Sequence, residues 1–420
     1  MKSRSIDRPI CVLIAPSGLK EALSASEATE ALAAGVARAM PSARILRSPM
    51  IDGGEGFTDS LVARTGGTIH PVRVTGPLGH PIDACFGMLG GALSTTATIE
   101  TAAAAGLGLI PTDKRDPTRT TTFGVGELIL AALDHGADEI LIGCGDSGVN
   151  DAGAGLAQGL GVRLLDATGK DIGFGGGALV EIARIDLSRR DERVSRVRVR
   201  AAVNWQNVLL GENGVTRVYA AQKGATPQQV IELEAAISHF ANQIEITTGA
   251  DVRHAPGTGA SGGLGASLVA FAGATLHPRF DLLLGYTDFE KHLAEADIVL
   301  TAEGEIDGRS VLGKVPGEVG RRAAACGIPV IALAGAIGHG GDVVLEHGID
   351  AFASIADRCY TREESIRNSA ILLERAAEST MRMVAAGMRI RSPAASRRRP
   401  GPKLKGARSP AAAGEPLPPA

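Results

Sequence analysis

The sequence is poor in aromatic residues, in cysteine and in net charge. Aromatic side chains make up 3% of the 420 residues, which disfavours an aromatic-rich recognition surface. The formal net charge of −3 gives no reason to expect nucleic acid or an anionic membrane as a partner. The five cysteines are widely spaced and form no C-x-x-C motif, which predicts reduced thiols in a cytoplasmic protein. No segment approaches the roughly 20 apolar residues of a membrane-spanning helix, so we expect no membrane contact.

Glycine, by contrast, is abundant, with 55 residues, and it suits tight turns and close approaches between backbones. Short apolar runs such as ADEILIG, RVRVRAAV, ADIVLTAEG and IPVIALAG alternate with helical stretches. That alternation predicts an α/β fold with mainly parallel sheets. Residues 389–420 are rich in proline, arginine and alanine and hold almost no large apolar side chains, which predicts a disordered tail.

One segment almost matches the Walker A phosphate loop. Gly308 to Lys314 spells G-x-x-x-x-G-K, but Val315 stands where a serine or threonine hydroxyl should bind Mg²⁺. The strand DIVLTAEG also ends well before this segment, so a Walker loop is disfavoured. Two acids just ahead of it, Glu303 after a strand end and Asp307 in a loop, are of more interest. Acids in such places often reach a ligand crevice, although they can also be solvated loop residues.

A glycine loop follows the strand predicted for EILIG. Residues 143–148 fit G-x-G-x-x-G, so one hypothesis is an NAD(P)-dependent oxidoreductase that uses this loop. Against it, the carboxylates of Asp146 and Asp151 would repel a bare diphosphate unless a divalent cation lay between them. Together with Ser147 and Asn150 they suit Mg²⁺ and a hydroxylated substrate. The competing interpretation is that these polar residues only cap the helix that follows.

A second glycine-rich loop, PGTGASGGLGASLVAFAG, lacks a preceding strand, so the dinucleotide interpretation fails there. Its backbone N–H groups at Gly262 and Gly263 could surround phosphate oxygens, or the glycines could allow close packing; the sequence favours neither.

Further charged residues occur at turns between strands and helices. IDGGEGFTDS carries Asp52 and Glu55, APSGLKEALS carries Lys20, and AAQKGATPQQ carries Lys223. Phosphoryl transfer needs this combination: cations to spread phosphate charge, carboxylates to hold Mg²⁺, and a base for the attacking hydroxyl.

The order of the blocks IAP…K…LSA, DGGEG, VTGPLG, TTFGVGELI, DSGVNDAGAG, QKGATP, SGGLGA, EGEIDGRSVLGK and VIALAG resembles the bacterial glycerate kinase family. The resemblance runs from about residue 10 to about residue 355. It implies a kinase that uses ATP and Mg²⁺ to phosphorylate D-glycerate, giving 2-phosphoglycerate. It also implies two α/β lobes: a flavodoxin-like lobe from both chain ends, residues 1–70 with 290–388, and a second lobe from residues 71–289.

The chain departs from the family pattern at several charged positions. The usual A-P-D-S-F-K appears as A-P-S-G-L-K, which removes a carboxylate, while Asp146 adds one. Asn204 and Gln206 replace two acids of C-D-V-D-N-P, beside the single tryptophan, Trp205. These changes leave the reaction type intact but allow a closely related small hydroxy acid as the acceptor.

Roles follow from the resemblance and from the residue types together. We predict Asp52 or Asp151 as the base, with Lys20 as a further catalytic residue that neutralises phosphate or carboxylate. The predicted metal ligands are Glu55, Glu303 and Asp307. The predicted substrate- and phosphate-binding residues are Asp146, Ser147, Asn150, Asn204, Lys223, Gly262, Gly263 and Lys314. A sensor that binds a phosphometabolite is a third hypothesis, and a homo-oligomer is compatible with the sequence.

Overall fold

The computed structural model describes residues 8–19 and 21–390. Lys20 and residues 391–420 lie outside the described residues, so the predicted role of Lys20 and the predicted tail stay predictions. The last helix runs through Ile390, two residues into the segment predicted as tail. Among the described residues, no helix is both long enough and apolar enough to cross a membrane.

The described strands are β1 (Cys11–Ile14), β2 (Arg44–Arg47), β3 (Thr68–Thr75), β4 (Pro81–Met88), β5 (Thr96–Glu100), β6 (Glu139–Gly143), β7 (Arg163–Leu165), β8 (Arg184–Asp186), β9 (Arg198–Val203), β10 (Thr275–Pro278), β11 (Ile298–Ile306), β12 (Val330–Ile337) and β13 (Ala351–Ser354). The described α-helices are α1 (Ala25–Ala39), α2 (Phe57–Thr65), α3 (Ala102–Ala105), α4 (Phe123–Asp134), α5 (Ala154–Gly159), α6 (Val215–Tyr219), α7 (Pro227–Thr248), α8 (Ala260–Ala272), α9 (Arg279–Leu283), α10 (Phe289–Glu295), α11 (Val315–Ala325) and α12 (Arg362–Ile390).

Two helix starts show how local sequence fixes the element boundaries. Ser24 Oγ accepts a hydrogen bond from the N–H of Glu27, and the N–H of Ser24 donates to the Glu27 carboxylate, which forms a capping box before α1. Thr226 and Gln229 make the same reciprocal pair before α7, with Pro227 as the first helical residue.

One sheet has five parallel strands in the order β13-β12-β11-β1-β2 and combines strands from both ends of the chain. Alternate side chains of β1 face opposite cores, because successive residues of a strand point to opposite sides. Cys11 and Leu13 pack on the side of α10 and α11. Val12 and Ile14 pack on the side of α1 and α12. The sheet is therefore covered by helices on both faces, as parallel sheets require.

The second sheet has six strands in the order β10-β9-β6-β5-β4-β3, of which β3 and β4 run antiparallel at one edge. Ile140 and Ile142 of β6 face one core, which includes residues of α4 and α8. Leu141 faces the other core, together with Phe57 and Leu61 of α2. A separate two-stranded ribbon, β7 with β8, lies beside α7. The α/β class with mainly parallel sheets, predicted from the sequence, is confirmed.

We propose that these two sheets mark the two predicted lobes. The chain passes from the five-stranded sheet to the six-stranded sheet after β2 and returns after β10. Helix α2 packs on β4 and β5, so the first crossing falls in residues 48–56, ahead of the boundary predicted at residue 70.

Candidate active site

The carboxyl ends of strands from both sheets meet between the sheets. The loop after β2 packs against the loop after β6, where a Cβ on Gly145 would lie 2.6 Å from Gly54. After β10, Arg279 donates to the main-chain oxygen of Asp52 at 2.8 Å. After β9, Asn204 Nδ2 donates to the main-chain oxygen of Leu312 at 3.0 Å. Ligand crevices in α/β proteins lie outside the carboxyl ends of parallel strands, so this is the candidate site.

The turn after β2 places two of the predicted acids. Asp52 Oδ1 accepts a hydrogen bond from Gly54 N at 3.0 Å, and its side chain keeps 39% exposure. The N–H of Glu55 donates to Asp146 Oδ2 at 3.2 Å. A Cβ on Gly54 would overlap that same oxygen, so any larger residue here would displace the Asp146 side chain. Asp52, Glu55 and Asp146 are thus brought together.

Strand β11 supplies the second acidic group. Lys314 Nζ lies 3.4 Å from Glu303 Oε1 and 3.5 Å from Asp307 Oδ1. Burial raises the pKa of Glu303 to about 7, while Lys314 opposes that rise and the nearby charge of Asp52 adds to it. Burial alone would also raise the pKa of Asp307, but the Arg309 guanidinium and Lys314 hold it below its usual range.

One detail differs from the sequence prediction. Glu303 lies inside β11 rather than after its end, because β12 continues alongside and pairs Glu303 with Ala334. Lys314 does stand at the start of a helix, as predicted, since it precedes α11. Its amine neutralises carboxylates in this structure.

Asp151 is fully buried, and its carboxylate is saturated with protein donors. Oδ2 accepts from Thr122 N, Thr122 Oγ1 and Gly155 N, and Oδ1 accepts from Gly153 N. Burial raises the pKa of Asp151 against the effect of these hydrogen bonds. The carboxylate therefore ties the loop after β6 to the starts of α4 and α5. The geometry gives the predicted base role of Asp151 no support.

Lys223 is buried beside the same loop. Its Nζ donates to Val149 O at 2.7 Å and to Ser147 Oγ at 3.2 Å. Burial lowers the pKa of Lys223 to about 7, although Asp151 opposes the shift. Asn150 is also buried, and its Nδ2 donates to Thr216 Oγ1 at 3.0 Å. These residues form a polar support beneath the loop, and their predicted contacts with substrate or phosphate stay predictions.

Both glycine loops pack closely against other parts of the protein. At residues 143–148, added Cβ atoms would overlap Phe57, Gly54 or Ile110. In the second loop, a Cβ on Gly262 would overlap Val149 O, and one on Gly263 would lie 2.7 Å from Ala152 Cα. Of the two alternatives left open for the second loop, the geometry favours close packing. Phosphate binding by Gly262 and Gly263 stays a prediction.

Backbone strain independently marks the same region. Among the described residues, four non-glycine residues have positive φ, and three of them lie in these loops: Asp146 (φ 49), Ala152 (φ 52) and Ser261 (φ 50). Thr101 Oγ1 lies 3.3 Å from Ser261 Oγ and donates to Gly145 O, which links the two loops. Strained residues of this kind cluster at functional sites.

Sequence reasoning missed two charged residues of the site. Glu100 ends β5 and accepts from Thr58 N at 3.2 Å, and burial raises its pKa to about 7. Arg279 follows β10 with 13% side-chain exposure. Both come directly after or at the end of short apolar runs, TTATIE and ATLHP, and that position was the available signal. Fold and site together define a two-sheet α/β enzyme whose acids and cations gather where parallel strands end.

Comparisons with known proteins show which family of α/β enzymes the chain resembles. The model of the glycerate kinase family matches residues 12–385. A glycerate kinase of Halalkalibacterium halodurans is 45% identical over 368 residues, which cover 88% of this chain and 96% of that protein. A glycerate 2-kinase of Escherichia coli is 42% identical over 90% of this chain and 99% of its own length. A crystal structure of a candidate glycerate kinase 2 from Salmonella typhimurium LT2 superposes with a TM-score of 0.72 at 40% identity, covering 91% of this chain and all of that one.

The chain belongs to the glycerate kinase family. The resemblance read from its sequence blocks is thereby confirmed.

Proposed function

We propose that this protein transfers the γ-phosphoryl group of ATP to D-glycerate in a Mg²⁺-dependent reaction and releases 2-phosphoglycerate. The observation that carries the proposal is the meeting of Asp52, Glu303 and Lys314 on the five-stranded sheet and the loops that follow its strands, in a chain of this family. The choice of the 2-position is supported by the 42% identity to a relative named glycerate 2-kinase. The substituted polar residues near Asn204 make a closely related small hydroxy acid the alternative acceptor.

The residues at β11 fit a magnesium ion. Glu303 Oε2 is buried and has no hydrogen-bond partner within the described chain, so a hard anionic oxygen is available for a cation. No group of three metal-binding side chains occurs in the described residues. Kinases commonly hold Mg²⁺ with one or two carboxylates and the substrate phosphates, so Glu303 would serve as a protein ligand. Asp307 would join it by exchanging hydrogen bonds that it now accepts from Arg309 and Ser310. The ion, when bound, would neutralise phosphate charge. Glu55, on the loop after β2, contacts Asp146 through its main-chain N–H, and its role as a ligand stays a prediction.

Asp52 is the better candidate for the base. Its carboxylate is partly exposed between the sheets, whereas that of Asp151 is enclosed by donors. In the proposed reaction, Asp52 accepts the proton of the acceptor hydroxyl as that oxygen attacks phosphorus. Lys314 supplies positive charge close to the developing charge on the phosphoryl oxygens. Lys20 keeps its predicted role of neutralising an anion.

We also place the protein in the cytoplasm, because all five of its cysteines are free thiols, which suits a reducing compartment.

The deciding experiment is an ADP-release assay with purified protein, Mg²⁺, ATP, D-glycerate and a panel of small hydroxy acids. Phosphorus NMR of the product then reports which hydroxyl carries the phosphate. Asp52→Asn serves as the inactive control. Absence of ATP turnover on every acid, from folded protein, would refute the proposal; a 3-phosphorylated product would refute the regiochemistry alone. Titration with NADH tests the oxidoreductase alternative, for which we expect no binding.

A further inference from the structure

Asp52 and Arg279 lie on the two segments that connect the sheets. Asp52 is in the first crossing, after β2, and Arg279 begins the return segment, after β10. The hydrogen bond of 2.8 Å from Arg279 Nη1 to Asp52 O therefore joins the two crossings to each other. The same nitrogen lies 3.9 Å from Asp52 Oδ2.

The surroundings of Arg279 restrict how it can move. Its side chain is only 13% exposed and its guanidinium lies 5.5 Å from the centre of the Phe280 ring. A planar guanidinium that is packed in this way holds its acceptor in a defined direction, which a flexible lysine amine does not. On the other side, the N–H of Gly54 fixes Asp52 Oδ1. Arg279 thus holds the backbone of Asp52, and Gly54 holds its carboxylate.

We propose that Arg279 is a positioning residue for phosphoryl transfer, which acts by fixing the place of Asp52 between the two sheets. The inference rests on the proposed function, because it assigns Arg279 a part in that reaction. A small displacement of a base strongly reduces the rate of proton transfer. Substrate binding changes little, because it depends on contacts elsewhere in the site. Arg279 should therefore affect kcat much more than KM.

Arg64 provides a matched control. Its Nε donates to Tyr286 O at 2.9 Å, and its side chain is 29% exposed. This is also a hydrogen bond from an arginine to a main-chain carbonyl, and it joins the return segment to α2, the helix that follows the first crossing. It does not involve Asp52. A purely structural role of such a bond should make Arg64→Lys and Arg279→Lys equivalent.

The test compares both lysine variants in wild-type and Asp52→Asn backgrounds, by steady-state kinetics with ATP and D-glycerate and by urea unfolding. We expect Arg279→Lys to lower kcat by roughly tenfold or more with KM within about threefold, and Arg64→Lys to change kcat by less than about twofold. In the Asp52→Asn background, the effect of Arg279→Lys should largely disappear, because a residue that acts through Asp52 has nothing left to position.

Equal effects of the two lysine variants, or additive effects of Arg279→Lys and Asp52→Asn, would overturn the inference. If the activity of Asp52→Asn is too low to measure, the comparison of kcat between the two lysine variants decides alone. An inactive wild-type protein would instead refute the proposed function, and the inference with it; normal wild-type turnover with an unaffected Arg279→Lys variant would refute the inference only.

Discussion

Glu303→Gln is the perturbation with the clearest physical consequence. The substitution keeps the size of the side chain and removes its ability to ionise. Burial raises the pKa of Glu303 from an ordinary 4.5 to about 7 despite the amine of Lys314. The folded chain therefore holds the proton more tightly than the unfolded chain does. The resulting stability is fully present below about pH 4.5 and is lost as the pH rises through about 7.

The magnitude follows from the separation of the two pKa values. Each tenfold difference in proton affinity corresponds to about 1.4 kcal/mol, so the total contribution is about 3 kcal/mol. Most of it falls between pH 5 and pH 8. Over that interval, we expect the free energy of unfolding of the wild-type protein to fall by about 2 kcal/mol relative to that of Glu303→Gln.

Urea unfolding of both proteins across this pH range, in buffer with EDTA, measures the difference directly. Taking the difference cancels the titration of every group that the two proteins share. Added Mg²⁺ should reduce the pH dependence of the wild-type protein, because a bound cation favours the ionised carboxylate. The two proteins should also differ in activity, with Glu303→Gln losing Mg²⁺-dependent turnover. Parallel stability curves would show that Glu303 ionises normally and would refute the account of its burial.

The other predictions separate catalytic from structural residues by the same two measurements, steady-state kinetics and urea unfolding. Asp52→Asn should lower kcat by roughly 10²- to 10⁴-fold with unchanged stability. A variant whose kcat stays close to that of the wild-type protein would exclude Asp52 as the base. Asp151→Asn should cost about 3 kcal/mol of stability, because the amide NH₂ would face N–H groups that now donate to the carboxylate. A variant as stable as wild type would contradict the structural role of Asp151. Gly262→Ala should destabilise by about 2 kcal/mol or more, since φ is +74 and Val149 O occupies the space. Gly54→Ala should lower activity with little loss of stability, because it meets the mobile end of the Asp146 side chain rather than backbone.

The fold was readable from the sequence because its determinants are local. Apolar runs of strand length, capping boxes at Ser24 and Thr226, and the hairpin of β3 and β4 each depend on residues within a short window. The pairing of β1 with β11 brings together residues almost 290 positions apart. No local pattern encodes that pairing, and only the family resemblance predicted strands from both chain ends in one lobe.

The site was less predictable, because a residue type does not reveal its burial. Asp52 and Asp151 look alike in the sequence, because each lies beside a glycine or polar residue. One is partly exposed between the sheets, and the other is enclosed by four donors. Glu100 and Arg279 were missed for the opposite reason. Each is a single charge at the end of an unremarkable apolar run, and its importance comes only from what packs against it.

The near match to a Walker loop at residues 308–314 shows what such a sequence pattern can and cannot mean. In a Walker loop, the lysine amine serves the phosphates and the following hydroxyl serves Mg²⁺. Here the amine of Lys314 lies between Glu303 and Asp307, and Val315 offers no hydroxyl. A cation held by these carboxylates would compete with the amine of Lys314 for them, because like charges repel. The amine of Lys314 would then be available to the phosphates. Lys314→Met should consequently weaken nucleotide binding, measured as KM for ATP, more than it weakens acceptor binding; an equal rise in both KM values would contradict this role of Lys314.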